Sequence, residues 1–163
     1  AAPGQSGEVC VRGPNVMLGY WNDTEATARV LREGWLHTGD VGRLDEDGYL
    51  HLDGRRSDMI KTGAHRVHPK DIEEAVSELD GVLEVAAVGV DDAILGQAVR
   101  VYVVAPALRS GDDGADIDRI KAHCRRQLAA YKLPRDVIFV DALPRTASGK
   151  IRRAALHDLQ AHP

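Results

Sequence analysis

A charged stretch from Gly54 to Pro69 separates two parts of the chain that differ in their sequence pattern. The residues before it are typical of short β-strands joined by turns, and those after it are typical of a separate unit of helices and strands. The charged side chains in the stretch are Arg55, Arg56, Asp58, Lys61 and Arg66. Because the stretch shows no amphipathic face to bury, composition alone leaves it as either a solvated linker or a working hinge.

Composition restricts the classes of function. The 163 residues allow one domain, or one small domain and part of another. The apolar fraction of 44% and the charged fraction of 28% are those of a soluble globular protein. A net charge of −4 and a single Phe argue against a broad nucleic-acid interface. The longest apolar run, around residues 85–90, is far shorter than the roughly 20 residues of a membrane span.

The cysteines bear on the cellular location of the protein, and the first residues bear on whether the sequence is a piece of a longer protein. Cys10 and Cys124 are too few and too far apart for a disulfide framework, which favours reduced thiols in a cytosolic protein. Residues 1–9 contain neither a basic nor an apolar segment, so they do not resemble a signal peptide. The chain begins without Met, and we expect it to be a piece of a longer protein.

The first part predicts a strand and a short helix. Residues 8–12 alternate polar and apolar side chains, as in a half-buried strand. Asp23 or Thr24 is a suitable cap for a helix that runs to about Leu31, and Gly34 is predicted to end it.

A hairpin is predicted next. Residues 41–44 and 49–52 are two short alternating runs, and the turn-forming residues 45–48 (DEDG) join them.

The second part predicts an α+β unit with a three-stranded sheet. Pro69 is well placed at the first position of a helix that Gly81 would stop, and Asp116 is predicted to cap a second helix. The β-rich runs are residues 82–90, 98–104 and 137–140, a polar loop covers 106–115, and a last helix is predicted at about 152–159.

Three separated stretches carry residues that could do chemistry. In residues 35–40 (WLHTGD), an Asp held on a turn by glycine could accept hydrogen bonds from a sugar diol, although this motif taken alone favours an Asp that only forms the turn. The charged stretch 54–69 is the second. In residues 144–152 (PRTASGKIR), Lys150 follows small, flexible residues that would let a loop enter a cleft. The pattern lacks the glycine and the Ser or Thr of a phosphate-binding P-loop.

The sequence predicts no metal site. His65 and His68 have the spacing H-x-x-H, but no carboxylate or thiol pattern near them completes a set of ligands.

Together and in this order, the three stretches resemble those of the acyl-adenylate-forming superfamily, which includes AMP-forming acyl-coenzyme A synthetases, luciferases and the adenylation domains of nonribosomal peptide synthetases. The resemblance runs from residues 7–9 (GEV) through 19–21 (GYW) to 150–152 (KIR). It implies that residues 1–53 are the last β-rich subdomain of a large N-terminal adenylating domain. Residues 54–57 would be a hinge, and residues 58–163 a mobile C-terminal domain.

The resemblance also implies roles for single residues. Asp40 and Arg55 match the residues that bind the ATP ribose and phosphates, and Ser57 occupies the hinge position, where the family usually has Asp or Lys. Arg66 matches a phosphate-contacting arginine, and Lys150 matches the lysine required for adenylation. Gly63 and Ala64 match the pair that lines the pantetheine tunnel.

The resemblance implies that this chain is the C-terminal part of an AMP-forming acid–thiol ligase and that this part is inactive alone. Fatty acid metabolism is the implied context. The ligase would use ATP, coenzyme A, a carboxylic acid and Mg²⁺, the metal being bound mainly by the large domain. Two alternatives remain: an adenylation domain that loads a carrier protein, and a non-catalytic interaction module that keeps the fold.

Overall fold

The computed structural model describes residues 2–108 and 113–159, apart from the side chain of Asp113. The chain forms two compact units, Ala1–Ser57 and Asp58–Pro163. The implied roles of the first unit, as part of a larger adenylating domain, and of residues 54–57, as a hinge, remain predictions. In the described residues no helix is long and apolar enough to cross a membrane.

The first unit is organised around one long strand. Its elements are β1 (Gly7–Val11), α1 (Thr24–Val30), β2 (Leu31–Arg32), β3 (Trp35–Leu44), β4 (Leu50–Arg55) and a 3-10 turn at Arg56–Asp58 that runs into the next unit. Strand β3 pairs antiparallel with β1 on one edge and with β2 and β4 on the other.

The start of α1 is as predicted, and its end is not. The side chain of Asp23 accepts a hydrogen bond of 2.7 Å from the backbone N–H of Ala26, which caps the helix. The helix ends at Val30, so the prediction that Gly34 stops it is wrong. Glu33 and Gly34, with φ of 50° and 79°, form the two-residue turn between β2 and β3. Positive φ at both positions is what a tight hairpin of this kind requires.

The hairpin predicted around residues 45–48 is confirmed, with Leu44 opposite Leu50. The carboxylate of Asp45 closes the turn, since it accepts hydrogen bonds from the backbone N–H groups of Asp47 and Tyr49 at 3.1 and 2.8 Å. Its other oxygen lies 2.7 Å from Nε2 of His51. These hydrogen bonds, above all that with His51, lower the pKa of Asp45.

The second unit is an α+β domain, as predicted, but its sheet has five strands and not three. Its elements are β5 (Ile60–Thr62), β6 (His65–Val67), α2 (Pro69–Ser77), β7 (Glu84–Asp92), β8 (Gly96–Val104), α3 (Asp113–Gln127), β9 (Asp136–Phe139) and 3-10 turns at Ala130–Lys132 and Arg153–Leu156. The strand order is β6-β5-β8-β7, and β9 pairs parallel with β8.

Strand β8 is buried on both faces. On one face it packs with α2 and α3 in a cluster that contains Val101, Ile72 and Ile120. On the other it packs with the segment that follows β9, in a cluster that contains Tyr102 and Leu156, both 0% exposed.

The two additional strands lie in the charged stretch, which does have a buried face. Ile60 and Val67 are cross-strand partners and are 1% and 0% exposed. The prediction of a stretch with nothing to bury is therefore wrong. Each strand has only three residues, so the inward-facing positions are too few to show an alternating pattern.

Two helix predictions are corrected. Helix α3 begins at Asp113, so Asp116 lies inside its first turns, and residues 109–112 of the predicted polar loop lie outside the described residues. The last predicted helix is a 3-10 turn at Arg153–Leu156.

A network around Arg153 links this turn to the rest of the second unit. Its guanidinium donates to both carboxylate oxygens of Glu73 at 2.5 and 3.0 Å and to the carbonyl of Ala87 at 2.9 Å. It also lies 3.3 Å from the carboxylate of Asp58. Burial opposes the charge of Arg153, but the hydrogen bonds and the charge of Glu73 outweigh it and raise the pKa of the guanidinium.

We expect Arg153→Ala to lower the free energy of unfolding of the second unit by about 2–3 kcal/mol, because it leaves the half-buried Glu73 without its charged partner. Amide hydrogen exchange of β7 and β8 measures this loss. The matched control is Arg152→Ala, which removes an exposed arginine and should change stability by less than about 0.5 kcal/mol. Tryptophan fluorescence should not change, since Trp21 and Trp35 lie in the first unit. Equal exchange rates in the two variants would contradict a structural role for Arg153.

Candidate functional site

Asp40 and Arg55 form an ion pair in the first unit. They are directly opposite each other on β3 and β4. Nε of Arg55 lies 2.8 Å from a carboxylate oxygen of Asp40, and the same guanidinium donates to the carbonyl of Thr38 at 2.9 Å. Both side chains remain accessible, with 29% of Asp40 and 57% of Arg55 exposed. The pair therefore presents a carboxylate and a cation together at the surface of this unit.

Asp40 lies at a β-bulge and not on a turn, which corrects the expected local geometry. Residues 38–40 lie opposite the single residue Val9, between the regular pairs Glu8–Val41 and Cys10–His37. The hydroxyl of Thr38 donates to the carbonyl of Val9 at 2.8 Å and accepts from the N–H of Asp40 at 3.0 Å. Bulges of this kind change the direction of a side chain that would otherwise follow the pleat.

Gly39 makes the bulge possible, because its φ is +73°. We expect Gly39→Ala to destabilise the first unit by about 1–2 kcal/mol, the cost of forcing an L-residue into this region. A Cβ at Gly39 would lie 3.8 Å from Arg55, an ordinary contact, so the backbone and not a clash accounts for the loss.

Gly7→Ala is the matched control for this prediction. Gly7 lies on β1 of the same sheet, its φ is not positive, and nothing lies within 4 Å of an added Cβ. Urea unfolding followed by tryptophan fluorescence should show Gly7→Ala to be neutral or slightly stabilising. A similar loss in both variants would mean that φ at Gly39 is not the constraint.

Gly63 and Ala64 lie on a groove of the second unit. The groove has a volume of about 440 Å³ and is also lined by Leu95, His65 and Tyr131. Gly63 has a φ of +57° and its N–H donates to the carbonyl of Leu95 at 2.8 Å, which fixes the β5–β6 turn against the β7–β8 turn. The rings of His65 and Tyr131 stack at 4.0 Å, so one wall of the groove is aromatic.

Arg66 lies on β6, opposite Lys61, with its side chain exposed. The structure thus places the exposed guanidinium of Arg66 on β6.

Ser57 is the middle residue of the 3-10 turn Arg56–Asp58 and the last residue of the first unit.

Lys150 is carried by a closed hairpin and is exposed. The N–H of Thr146 donates to the carbonyl of Lys150 at 2.8 Å, and the N–H of Gly149 donates to the carbonyl of Thr146 at 2.9 Å. Gly149 has a φ of +83°, as expected for the last position of a three-residue hairpin loop. Arg145 also donates to the carbonyl of Gly149 at 2.7 Å and pairs with Glu84 at 2.8 Å. The predicted flexible loop is therefore a hydrogen-bonded turn.

Sequence reasoning missed a second group of side chains next to the bulge. In the described residues, Glu8, Cys10 and His37 are the group of three potential metal ligands whose donor atoms lie within 4.8 Å of one another. An imidazole and a thiol do not suit Mg²⁺, which prefers oxygen ligands. The i, i+2 spacing of Glu8 and Cys10 was visible in the sequence, but the pairing of β1 with β3 was needed to add His37.

Comparison with known proteins agrees with this architecture. Residues 71–150 match the family of the AMP-binding enzyme C-terminal domain. A long-chain-fatty-acid–CoA ligase of Salmonella typhimurium is 46% identical over 96% of this chain, which covers 27% of the ligase.

Two solved structures superpose on nearly the whole chain. The Bacillus subtilis o-succinylbenzoate CoA synthetase, in complex with its acyl-adenylate intermediate, has a TM-score of 0.89 and 34% identity over 100% of this chain and 32% of the synthetase. The ATP-bound MatB of Rhodopseudomonas palustris has a TM-score of 0.86 and 39% identity, over 97% of this chain and 31% of MatB. The chain thus spans less than a third of these relatives.

The chain belongs to the acyl-adenylate-forming superfamily, as a homologue of the C-terminal part of AMP-forming acyl-coenzyme A ligases.

Proposed function

We propose that this chain is part of an AMP-forming acid–thiol ligase that makes an acyl-adenylate and then an acyl thioester of coenzyme A. The observation that carries the proposal is the solvent-accessible pair Asp40–Arg55 at a bulge, on a chain whose relatives include structures with ATP and with an acyl-adenylate bound. In the first step a carboxylate oxygen attacks the α-phosphorus of ATP, and pyrophosphate leaves. In the second a thiol attacks the acyl carbon, and AMP leaves.

Asp40 and Arg55 are proposed to bind the nucleotide. A carboxylate has two oxygens that accept hydrogen bonds, which suits the vicinal hydroxyls of a ribose. The Arg55 guanidinium holds one oxygen of Asp40 at 2.8 Å and carries the positive charge that a neighbouring phosphate requires. Mg²⁺ is proposed to bind to ATP in the large domain.

Lys150 is proposed to stabilise the transition state of adenylation. The attack of one anion on another concentrates negative charge, and a lysine that reaches both groups lowers the energy of that state. Its exposure at the end of a closed hairpin leaves the ammonium group accessible.

The thioester step is proposed to use the groove at Gly63 and Ala64. The absence of a side chain at Gly63 and the short one at Ala64 leave room for the narrow pantetheine arm of coenzyme A. Arg66, exposed on β6, is proposed to contact phosphate.

The proposal also concerns the acid, the acceptor and the location. A long-chain fatty acid is one proposal for the acid, but the relatives at 46% and 34% identity are named for different acids, long-chain fatty acids and o-succinylbenzoate. A carrier protein is the alternative acceptor, and a non-catalytic module is the alternative to an enzyme. The proposed location is the cytoplasm, where thiols such as Cys10 stay reduced.

Pyrophosphate exchange tests the proposal in the ligase that contains this chain. Exchange of labelled pyrophosphate into ATP, dependent on a carboxylic acid, is expected of an enzyme and not of an interaction module. Adding coenzyme A or a carrier protein then identifies the acceptor. Absence of exchange across a panel of aliphatic and aromatic acids would contradict the enzyme assignment.

We expect Lys150→Ala in that ligase to lower the rate of adenylation by about 10²–10³-fold or more, because a charge placed for the transition state is lost. Thioester formation from supplied acyl-adenylate should be nearly unchanged. Lys70→Ala, at an exposed lysine on α2, is the control and should affect neither step. An equal loss in both steps would indicate a structural role for Lys150.

Ser57→Pro tests the proposed hinge. Proline restricts φ to about −65° and removes the N–H donor, so a residue that must adopt two backbone states is held in one. We expect the variant to change the rates of adenylation and thioester formation very unequally, while Ser57→Ala leaves both near those of the parent protein. Thermal unfolding measured in parallel separates this effect from instability. If Ser57→Pro leaves both rates unchanged, Ser57 is not the pivot.

A further inference from the structure

Three different donor groups converge beside the bulge in the first unit. Cys10 and His37 are cross-strand partners on β1 and β3, so their side chains lie on the same face of the sheet. Glu8, two residues before Cys10, completes the group. Nδ1 of His37 lies 3.5 Å from Sγ of Cys10 and 3.1 Å from Oε2 of Glu8.

The geometry excludes a catalytic relay among these three groups. A relay needs one ring nitrogen facing the thiol and the other held by the carboxylate. Here both contacts are made by the same nitrogen, Nδ1 of His37. With a neutral imidazole, a protonated Nδ1 that donates to Glu8 leaves the sulfur only a weak, shared contact, whereas a bare Nδ1 accepts from the thiol but repels the carboxylate. A cation placed among the three satisfies all of them.

The two separations that involve Nδ1 of His37 are compatible with a tetrahedral zinc ion, and the three donor atoms all lie within 4.8 Å of one another. With zinc–sulfur bonds of about 2.3 Å and zinc–nitrogen and zinc–oxygen bonds of about 2.1 Å, a tetrahedral centre separates S from N by about 3.6 Å and N from O by about 3.4 Å. The observed separations are 3.5 and 3.1 Å. Thiolate, imidazole and carboxylate together are a ligand set for a borderline metal such as Zn²⁺ and not for Mg²⁺ or Ca²⁺.

We propose that Glu8, Cys10 and His37 form a binding site for a zinc-class divalent ion. The three side chains supply three of four tetrahedral positions, and water takes the fourth. The side chains of His37 and Glu8 are 26% and 25% exposed, so an ion can reach them from solvent. The site does not depend on the proposed ligase activity, although the Gly39 N–H also bonds to Glu8 and connects it with the bulge of Asp40.

The charges around this site both favour and oppose the binding of a cation. A hydrogen bond with His37 and the charge of Arg56 lower the pKa of Glu8. The guanidinium of Arg56 lies 3.8 Å from Oε2 of Glu8 and is largely exposed. It opposes an incoming cation, but as an exposed side chain it is free to turn toward solvent.

Cobalt titration of the reduced 163-residue chain is the test. Co²⁺ bound to a thiolate gives a sulfur-to-metal charge-transfer band that oxygen and nitrogen ligands do not produce. We expect this band in the parent protein and its displacement by Zn²⁺. Cys10→Ala should abolish it, while Glu8→Gln, which keeps the shape of the side chain, should weaken Zn²⁺ affinity by at least about 10–100-fold.

Two further variants sharpen the test. Cys124→Ala should retain the band, because Cys124 is 0% exposed and burial raises the pKa of its thiol, which disfavours the thiolate. Arg56→Ala should bind Zn²⁺ more tightly than the parent protein, since a neighbouring positive charge is removed. Unchanged tryptophan fluorescence shows that the first unit, which contains the proposed site and both tryptophans, is folded in a variant. A parent protein without the band, or a Cys10→Ala variant that keeps it, would overturn the proposal.

Discussion

The burial of strand β8 on both faces is the constraint on which the second unit depends. Val101 and Tyr102 point to opposite faces, and both are 0% exposed. Helices α2 and α3 cover one face, but the cover of the other comes from the segment after β9, which includes Leu143 and Leu156. The Lys150 hairpin lies between these two buried leucines in sequence. The packing that completes the core therefore also determines where the hairpin begins and ends.

Features set by neighbouring residues could be predicted from the sequence. The cap at Asp23, the helix start at Pro69 and the hairpin at residues 45–48 each depend on side chains within about four positions of one another. The long apolar run of β8 was also recognisable, because a strand buried on both faces shows few polar residues. The motif around Asp40 and the loop before Lys150 were also recognisable, because the residues of each are adjacent in sequence, but the hydrogen-bonded hairpin at Lys150 was not predicted.

Features set by pairing between distant residues could not be predicted. The sequence Thr38-Gly39-Asp40 fits a turn as well as a bulge, and only the three-to-one alignment with Val9 decides between them. Strands β5 and β6 each bury little more than one large side chain, so tertiary contacts and not a sequence period define them. The group of Glu8, Cys10 and His37 likewise requires two strands that lie more than 25 residues apart.

The closed hairpin at Lys150 bears on how a lysine could serve one half-reaction and be absent from the next. Hydrogen bonds between Thr146 and both Gly149 and Lys150 hold its backbone, and Ile151 packs against the same cluster as Tyr102. Moving the lysine by opening this loop would break those bonds and expose part of the core. If the proposed function is correct, the movement that withdraws Lys150 must therefore displace the second unit as a body, and the backbone change must be absorbed outside it. Ser57, at the last position of the first unit, is where such a change would leave both sheets intact.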